Sequence, residues 1–304
     1  MLKEKLEKID LNSWKKPELS EDLPHGDMPG DKIKIDESHE AKAEKIFPAL
    51  IEKMKGFDKD KLVVTVFGGS GVGKSEIASL LAYYLIDQGI SAYVLSGDNY
   101  PFRIPMYNDA ERFSIFRSEG LKGLLESGEY SADVQKKLDE LWKDETDPDP
   151  KMVNEYPWLA SYQKAGRRAL KEYLGTDREQ DYVQVNQILN AFKAGEDKIY
   201  LKRMGRSEDA RWYDEVDFSD TDVLIIEWTH GGNKNIEGID IPILLNSTPE
   251  ETREHRRLRA RDGKTDSAFT TMVLEIEQEE LDDRASSAAI IISKAGEFLD
   301  PADF

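Results

Sequence analysis

The chain has 304 residues, no cysteine and a formal net charge of −19 at pH 7, with 39% hydrophobic and 34% charged residues. The lack of cysteine excludes disulfides and thiolate metal sites, and the acidic balance argues against nucleic-acid partners, which require a basic face. No apolar run approaches the roughly 20 residues that span a bilayer, and the start lacks a signal peptide's apolar core, so we expect no membrane partner and a cytoplasmic location.

Residues 1–57 precede the first predicted strand and are expected to form an N-terminal extension with two helices. A second helix is predicted over 38–55, with Ser38 as N-cap and Gly56 at its end. We interpret the extension as packing on the core, with a regulatory or dimerising arm as the alternative. The first predicted helix carries apolar residues at helical spacing, namely Leu2, Leu6 and Ile9.

The central feature of the sequence is the stretch 62–75, an apolar run that breaks into glycines and ends in Gly-Lys-Ser. It predicts a strand, a loop and a helix from about Lys74 to Asp87. Glycines keep such a loop bare, so backbone N–H groups can surround phosphates at the positive end of the helix. Lys74 is placed to reach the β- and γ-phosphates, and the Ser75 hydroxyl to ligate Mg²⁺. The predicted nucleotide-binding residues are Gly68, Gly69, Ser70, Gly71, Val72, Gly73, Lys74 and Ser75.

A second buried strand is predicted over residues 90–96, and Asp98 follows its carboxyl end. Because α/β sheets hold ligands at this edge, we interpret Asp98 as a functional residue rather than a turn or capping aspartate. The region of about 101–220 predicts a mostly helical insert, whose aromatic residues are expected to form a core and to line part of an acceptor pocket. Helices are expected over 108–125, 131–143, 158–174 and 178–192.

The sheet resumes after the insert. Residues 222–228 form a predicted buried strand that ends in the carboxylate of Glu227, as expected of a strand that places an acidic group near Mg²⁺. The next predicted strand, 239–245, contains Pro242, which suggests an edge or an early position. Helix 249–262 carries a basic cluster, which in an acidic protein suggests a small anionic ligand. The cluster comprises Arg253, Arg256, Arg257, Arg259, Arg261 and Lys264.

These residues resemble the P-loop kinases of the uridine kinase, phosphoribulokinase and pantothenate kinase type, over about 60–100 and 185–295. Residues 68–75 match the Walker A motif of these kinases. The run Leu-Ser-Gly-Asp-Asn-Tyr at 95–100 is similar to their Leu-Ser-x-Asp-x-Phe/Tyr segment, whose aspartate is the catalytic base.

Two further segments extend the resemblance. Leu-Ile-Ile-Glu at 224–227 is similar to a strand that ends in glutamate in these kinases, and 253–262 resembles their lid helix, whose basic residues close over the phosphates. Trp228 departs from the pattern, because the family has a glycine there. The segment between Asp98 and this strand is long and matches no single subfamily closely, so the acceptor is the least constrained part of the resemblance.

The resemblance implies a P-loop NTPase fold of the α/β class, a three-layer α/β/α sandwich with a mainly parallel sheet and a large helical insert. Residues 58–304 would form the kinase domain after the extension of 1–57. Within it, the insert of about 101–220 would bind the acceptor, and an arginine-rich lid would cover about 249–265. A homo-oligomer is left open.

The resemblance also implies an ATP-dependent phosphotransferase that moves the γ-phosphoryl group to an alcohol group of a small anionic or polyhydroxylated acceptor. Asp98 would accept the hydroxyl proton, while the cationic groups and Mg²⁺ would stabilise charge on the transferring group. The implied catalytic residues are Asp98, Lys74, Arg257 and Arg261. The implied metal ligands are Ser75 and Glu227. The predicted acceptor-binding residues are Arg103, Tyr100 and His230.

Two alternatives stay open. Adenylylsulfate kinases have a second strand that ends in Asp-Gly-Asp-Asn followed by an arginine, and this chain has Ser-Gly-Asp-Asn at 96–99 with Arg103 soon after, although its middle segment is far longer. A P-loop ATPase or nucleotide switch that acts on a protein partner is the alternative of another class. A GTPase is disfavoured, because the run Asn-Lys-Asn-Ile at 233–236 lacks the aspartate of a base-reading Asn-Lys-x-Asp segment.

Overall fold

The computed structural model describes residues 1–20, 22–207, 209–259 and 267–304. Within these ranges the strands are β1 (Leu62–Gly68), β2 (Ala92–Ser96), β3 (Lys198–Met204), β4 (Arg211–Asp217), β5 (Val223–Glu227), β6 (Ile241–Leu245) and β7 (Ile290–Ile292). The helices are α1 (Leu2–Glu7), α2 (Glu37–Lys55), α3 (Lys74–Asp87), α4 (Pro105–Ser127), α5 (Ala132–Asp144), α6 (Leu159–Lys171), α7 (Tyr182–Ala194), α8 (Arg253–Arg259) and α9 (Ala268–Arg284).

Five strands form one parallel sheet in the order β2-β5-β1-β6-β7. At its centre, Val64 of β1 pairs with Ile225 on one side and with Ile241 on the other. Every residue of β1 is buried, as expected of a parallel strand with helices on both faces. Successive residues alternate between two hydrophobic clusters, since Val64 and Val66 pack with α1, α2 and α3 whereas Val63 packs with α7. The predicted three-layer sandwich with a mainly parallel sheet is confirmed.

The N-terminal extension packs on one face of this sheet. α2 begins earlier than predicted because Asp36, and not Ser38, is its N-cap. The Asp36 carboxylate accepts hydrogen bonds from the backbone N–H groups of Ser38 (3.0 Å) and His39 (3.1 Å), and the Ser38 hydroxyl itself donates to Asp36 (2.7 Å). Gly56 ends the helix as predicted. The residues at and after α1 that are buried in the core are Leu2, Leu6 and Ile9.

Helices α4 and α6 of the insert approach each other closely through glycines. A Cβ on Gly123 would lie 2.5 Å from Cβ of Ala165, and a Cβ on Gly166 would lie 2.6 Å from the carbonyl oxygen of Phe116. Since any side chain at these positions would meet the facing helix, the glycines set the distance between the two helices. α4 and α6 pack in turn with α5 and α9 around a hydrophobic cluster of their own.

A hairpin interrupts the insert, where the sequence predicts mostly helix. β3 and β4 pair in antiparallel fashion from Lys198 opposite Asp217 to Met204 opposite Arg211. No helix or strand is predicted for residues 198–217, and the insert is otherwise helical, as predicted. The hairpin lacks the alternation of apolar and polar residues that marks a strand, because the side chain of Arg203 in β3 is buried through ion pairs and β4 is almost entirely exposed.

Two predicted boundaries change near the end of the sheet. Pro242 is predicted to lie either early in its strand or in an edge strand. It is the second residue of β6, which is not an edge strand because it lies between β1 and β7. α8 begins later than the predicted helix 249–262, since Thr248 and Glu251 close a turn before it, in which Glu251 Oε2 accepts a hydrogen bond from the Thr248 N–H (2.7 Å). The predicted end of this helix lies outside the described residues. Among the helices of the described ranges, none is long and apolar enough to cross a bilayer.

Candidate active site

The P-loop follows the central strand β1, and its glycines have backbone conformations that other residues rarely adopt. The φ angles of Gly68, Gly71 and Gly73 are 153°, 78° and 100°. A Cβ on Gly68 would lie 2.4 Å from the carbonyl oxygen of Leu245, and one on Gly71 would lie 2.9 Å from Cγ of Arg256. Glycine is therefore required here by conformation and by close approach together.

Lys74 and the start of α3 bring positive charge to the loop. Gly73 is the N-cap of α3, and no side chain caps the first backbone N–H groups of this helix. These N–H groups and the positive end of the helix dipole are thus available to phosphate oxygens. The Lys74 ammonium donates a hydrogen bond across the loop to the carbonyl oxygen of Gly69 (3.0 Å). The arrangement suits a chain of phosphates.

Glu227 ends β5, beside the P-loop strand, and is buried. Its two carboxylate oxygens accept hydrogen bonds from the hydroxyls of Ser75 (3.1 Å) and Ser96 (2.5 Å). Burial and, next, the charge of Asp98 raise the pKa of Glu227 to about 8. A cation beside Ser75 and Glu227 would favour the ionised carboxylate.

The rest of the described chain supplies no separate metal centre. No group of three or more His, Cys, Asp or Glu side chains that could hold a metal ion occurs among the residues that the structure describes. A cation next to Glu227 would therefore take most of its ligands from phosphate oxygens and water, as Mg²⁺ commonly does in nucleotide sites.

Asp98 lies in a single 3₁₀ turn, Gly97–Asn99, directly after β2. Its side chain is exposed and lines a cleft together with Lys74 and Ser75 of the P-loop. Trp228 is buried against the other side of this turn, and a Cβ on Gly97 would lie only 2.0 Å from Cγ of Trp228. The absence of a side chain on Gly97 thus makes room for the tryptophan that departs from the family pattern.

The cleft extends from the P-loop to the helical insert and has a volume of about 610 Å³. At the insert end the rings of Phe113 and Phe269, from α4 and α9, stack with centroids 3.8 Å apart and an interplanar angle of 24°. Among the described residues of the wall beyond the P-loop, carboxylates outnumber cations. The carboxylates are Asp31, Asp109, Glu145 and Glu277, and the cations are Arg103, Arg112 and Arg206.

Arg112 of α4 lies in this wall with its charge already compensated. Its Nε donates a hydrogen bond to Glu179 Oε1 (2.7 Å), and its Nη2 lies 3.7 Å from Glu277 Oε1. The side-chain amide of Asn108 donates to the same oxygen of Glu179 (3.1 Å). This part of the cleft therefore offers hydrogen-bonding groups without an excess of positive charge.

Two of the three predicted acceptor-binding residues line the cleft. Arg103 lines it and donates a hydrogen bond to the Tyr173 hydroxyl (3.1 Å). His230 lies buried in the wall, and burial lowers its pKa to about 3, so the ring is neutral near pH 7. Tyr100 does not line the cleft, because it lies in the hydrophobic core with residues of β2 and β5.

The predicted lid arginines are placed differently from one another. Arg257 is exposed on α8 and is not among the residues that line the cleft. Arg261 lies outside the described residues. Arg256 does line the cleft, where it lies against Gly71 of the P-loop, and its Nη2 donates a hydrogen bond to the carbonyl oxygen of Pro249 (2.8 Å). The basic cluster thus reaches the P-loop through Arg256.

Several cleft residues could not be found from the sequence. Arg112 and Glu277 belong to the long helices α4 and α9, where no local motif separates a charged residue in a cleft wall from one on the surface. Met28 and Asp31 come from the N-terminal extension, which the sequence predicts to pack on the core or, alternatively, to form a regulatory or dimerising arm. The prolines in this stretch indicate an irregular segment, but they do not indicate that it reaches the cleft.

Comparison with known proteins supports the resemblance to P-loop kinases. A family model described as adenylylsulphate kinase matches residues 60–111, which contain the P-loop, β2 and the Asp98 turn. The bifunctional alpha-galactosidase/sucrose kinase AgaSK of Mediterraneibacter gnavus is 35% identical over 241 residues, which cover 79% of this chain and 21% of AgaSK. The chain thus spans about a fifth of the length of this curated relative.

Two solved structures are also similar, at low sequence identity. D-glycerate 3-kinase from Cryptococcus neoformans is 13% identical with a TM-score of 0.47, covering 88% of this chain and 99% of that one. A putative fructose transport system kinase from Silicibacter sp. TM1040 is 14% identical with a TM-score of 0.46, covering 80% and 94%.

Proposed function

We propose that the protein is an ATP-dependent kinase that transfers the γ-phosphoryl group to a hydroxyl of a small carbohydrate, with sucrose as the first candidate. The observation that carries the proposal is the cleft, in which Lys74, Ser75 and Asp98 lie at one end and aromatic side chains lie at the other, among charged groups of both signs. Of the two activities in the name of AgaSK, only the kinase needs a P-loop, so the kinase is the one that this chain supports.

In this proposal the protein acts mainly by positioning and by charge. The acceptor oxygen attacks the γ-phosphorus, its proton passes to the Asp98 carboxylate, and the bond to the bridging oxygen of ADP breaks. Lys74 stabilises negative charge on the phosphates, and Arg256 is placed to do so from the lid side. The lid role predicted for Arg257 and Arg261 stays a prediction.

Ser75 and Glu227 would hold Mg²⁺. Their fit rests on the buried carboxylate of Glu227, whose pKa is raised by burial and by the charge of Asp98, so that a cation beside it would favour the ionised form. When bound, Mg²⁺ supplies charge neutralisation at the phosphate oxygens. ATP and Mg²⁺ are thus the proposed cofactors, and a small-molecule acceptor is the proposed partner.

The charges in the cleft favour a neutral, polyhydroxylated acceptor over an anionic one. Carboxylates outnumber cations among the wall residues that the structure describes, and Arg112 is already paired with Glu179. The stacked pair of Phe113 and Phe269 offers an apolar face at the same end, against which the C–H face of a sugar ring can pack. Adenylylsulfate, which carries two anionic groups, is the second candidate because of the family match at residues 60–111.

The test is phosphoryl transfer from labelled ATP to sucrose, fructose, glucose, glycerate, uridine and adenylylsulfate, with Asp98→Asn run alongside. We expect one sugar phosphate as product and a fall in kcat of about 10²- to 10⁴-fold in Asp98→Asn, since the base is lost. Asp87→Asn, at an exposed position of α3, is the matched control and should retain activity.

Other products would change the assignment. Labelled product from adenylylsulfate alone would replace the sugar by the second candidate. Release of phosphate without any labelled acceptor, unchanged by Asp98→Asn, would contradict the kinase proposal and favour an ATPase that acts on a protein partner.

A further inference from the structure

Part of the N-terminal extension crosses the end of the sheet that carries the active site. We call residues 22–31, which precede α2, the N-terminal strap. The carbonyl oxygen of Pro24 accepts a hydrogen bond from the Ser79 hydroxyl of α3, the helix that follows the P-loop. A Cβ on Gly26 would lie 3.0 Å from Glu227 Oε1, so the strap backbone directly covers this buried carboxylate. Met28 and Asp31 then line the cleft.

Asp27, at the middle of the strap, has both carboxylate oxygens bound to the elements around Asp98. Its Oδ1 accepts hydrogen bonds from the Ser96 N–H (2.8 Å) and from the Asn99 side-chain amide (3.0 Å). Its Oδ2 accepts from the Tyr93 hydroxyl (2.9 Å) and from Arg203 Nη1 (2.8 Å). Burial raises the pKa of Asp27, while Arg203 and the other donors oppose that rise.

These contacts enclose the Asp98 turn from two sides. Ser96 precedes the turn and Asn99 is its last residue, and Asp27 Oδ1 accepts hydrogen bonds from both of them. Asn99 is also held by β3, because its Oδ1 accepts a hydrogen bond from the Met204 N–H (2.9 Å). The turn is therefore fixed between the strap and the hairpin, and Asp98 is its one exposed residue.

We propose that Asp27 is a positioning residue for phosphoryl transfer, which holds the turn so that the Asp98 carboxylate meets the acceptor hydroxyl. The inference rests on the proposed function, in which Asp98 is the base. A group that orients a reacting residue affects the rate through geometry, and loss of such a partner typically costs 10- to 100-fold. The strap would thus be part of the active site, in contrast to its interpretation as surface packing.

The test is Asp27→Asn, which keeps the shape of the side chain but places an amide among four donors. We expect kcat to fall by about 10- to 100-fold, while KM for ATP changes by less than about threefold, because none of the P-loop contacts involves Asp27. A purely structural role would lower the amount of folded enzyme without this split between kcat and KM.

Asp222→Asn is the matched control. Asp222 is also a partly buried carboxylate that links the extension to the start of β2. It accepts hydrogen bonds from the Lys5 ammonium (2.6 Å) and the Ser91 N–H (2.8 Å). These contacts lie at the amino end of the sheet, away from the Asp98 turn. The kcat of Asp222→Asn should stay near that of the wild type. An equal fall of kcat in both variants, or an unchanged kcat in Asp27→Asn, would overturn the proposal.

Two further measurements cover the remaining outcomes. If Asp27→Asn does not fold, Asn99→Ala removes one of the two bonds from Asp27 to the turn, together with the bond from the Met204 N–H, and leaves the pair of Asp27 with Arg203. In that variant kcat should fall at retained KM for ATP, and an unchanged kcat would reject the inference. If the wild type phosphorylates no acceptor, the proposed function fails. Amide hydrogen exchange then tests whether Asp27 holds the turn. Asp27→Asn should speed exchange of the Ser96 N–H but not of the P-loop amides, and a Ser96 exchange rate equal to that of the wild type would contradict the inference.

Discussion

Glu227 shows how one buried side chain can link proton binding to folding. Its carboxylate lies between two hydroxyls at the end of β5, and its pKa is raised from 4.5 to about 8. The folded protein therefore binds a proton at Glu227 more tightly than the unfolded chain does. This contribution to stability is complete below about pH 4.5 and is lost as the pH rises towards 8.

We expect Glu227→Gln to remove this pH dependence, because the amide resembles the protonated acid. The wild type should lose stability relative to the variant by on the order of 1 kcal/mol per pH unit through this range. Urea unfolding of both proteins at pH 5, 6.5 and 8 measures the difference between their free energies of unfolding. The titration of other groups cancels in this difference, because both proteins share those groups. A constant difference across the three pH values would show that Glu227 is ionised throughout.

At the residue scale, the sequence predicts the residues that belong to a local motif, but it does not predict which way each side chain points. The glycines and Lys74 follow from the P-loop spacing alone, since that motif specifies its own backbone. Tyr100 and Asp98 are two residues apart, yet one lies in the core and the other in the cleft, because Asp98 lies within a 3₁₀ turn that ends just before Tyr100. A turn of this kind has no periodicity from which side-chain direction could be read.

The insert depends on the close contact of α4 and α6, which also carries part of the cleft wall. We expect Gly123→Ala to destabilise the protein by about 1–3 kcal/mol, because the new methyl group would meet Ala165. This exceeds the gain of about 1 kcal/mol that alanine brings to a helix. Thermal unfolding measures the change.

Ser118→Ala is the control for this prediction, since Ser118 lies on the exposed side of α4. It should be neutral or slightly stabilising because only helix propensity changes. A stable Gly123→Ala protein would mean that the two helices can separate without loss, and the glycines would then not set their distance.

At the element scale, helices were easier to predict than the hairpin. Glycines with positive φ end α4 and α7 at Gly128 and Gly195, as the sequence suggests. The hairpin of β3 and β4 gives no such signal. The buried guanidinium of Arg203 pairs there with Asp27, which lies 176 positions earlier in the sequence. A local sequence pattern cannot indicate a partner at that distance.

The N-terminal extension belongs to the folded molecule as a whole and is not an appendage. Deletion of residues 2–9 should therefore lower stability by several kcal/mol, since burial of each large apolar side chain contributes about 1.5–3 kcal/mol. The apolar side chains lost would be Leu2, Leu6 and Ile9. The midpoint of urea unfolding measures the effect.

Lys5→Ala separates burial from charge in this region. The ion pair of Lys5 with Asp222 is partly exposed, so its loss should cost no more than about 1 kcal/mol. A deletion no more harmful than Lys5→Ala would contradict the view that α1 completes the core.

The position of the extension also affects how the protein is made. Lys5 pairs with Asp222 and Asp27 pairs with Arg203, so the partners of these two extension residues leave the ribosome much later than they do, 217 and 176 positions on. At about 5–20 residues per second, the wait for Asp222 lasts roughly 10–40 s. During that time the nascent extension has no sheet on which to pack. The turn that carries Asp98 can therefore acquire its final support only after most of the chain has been translated.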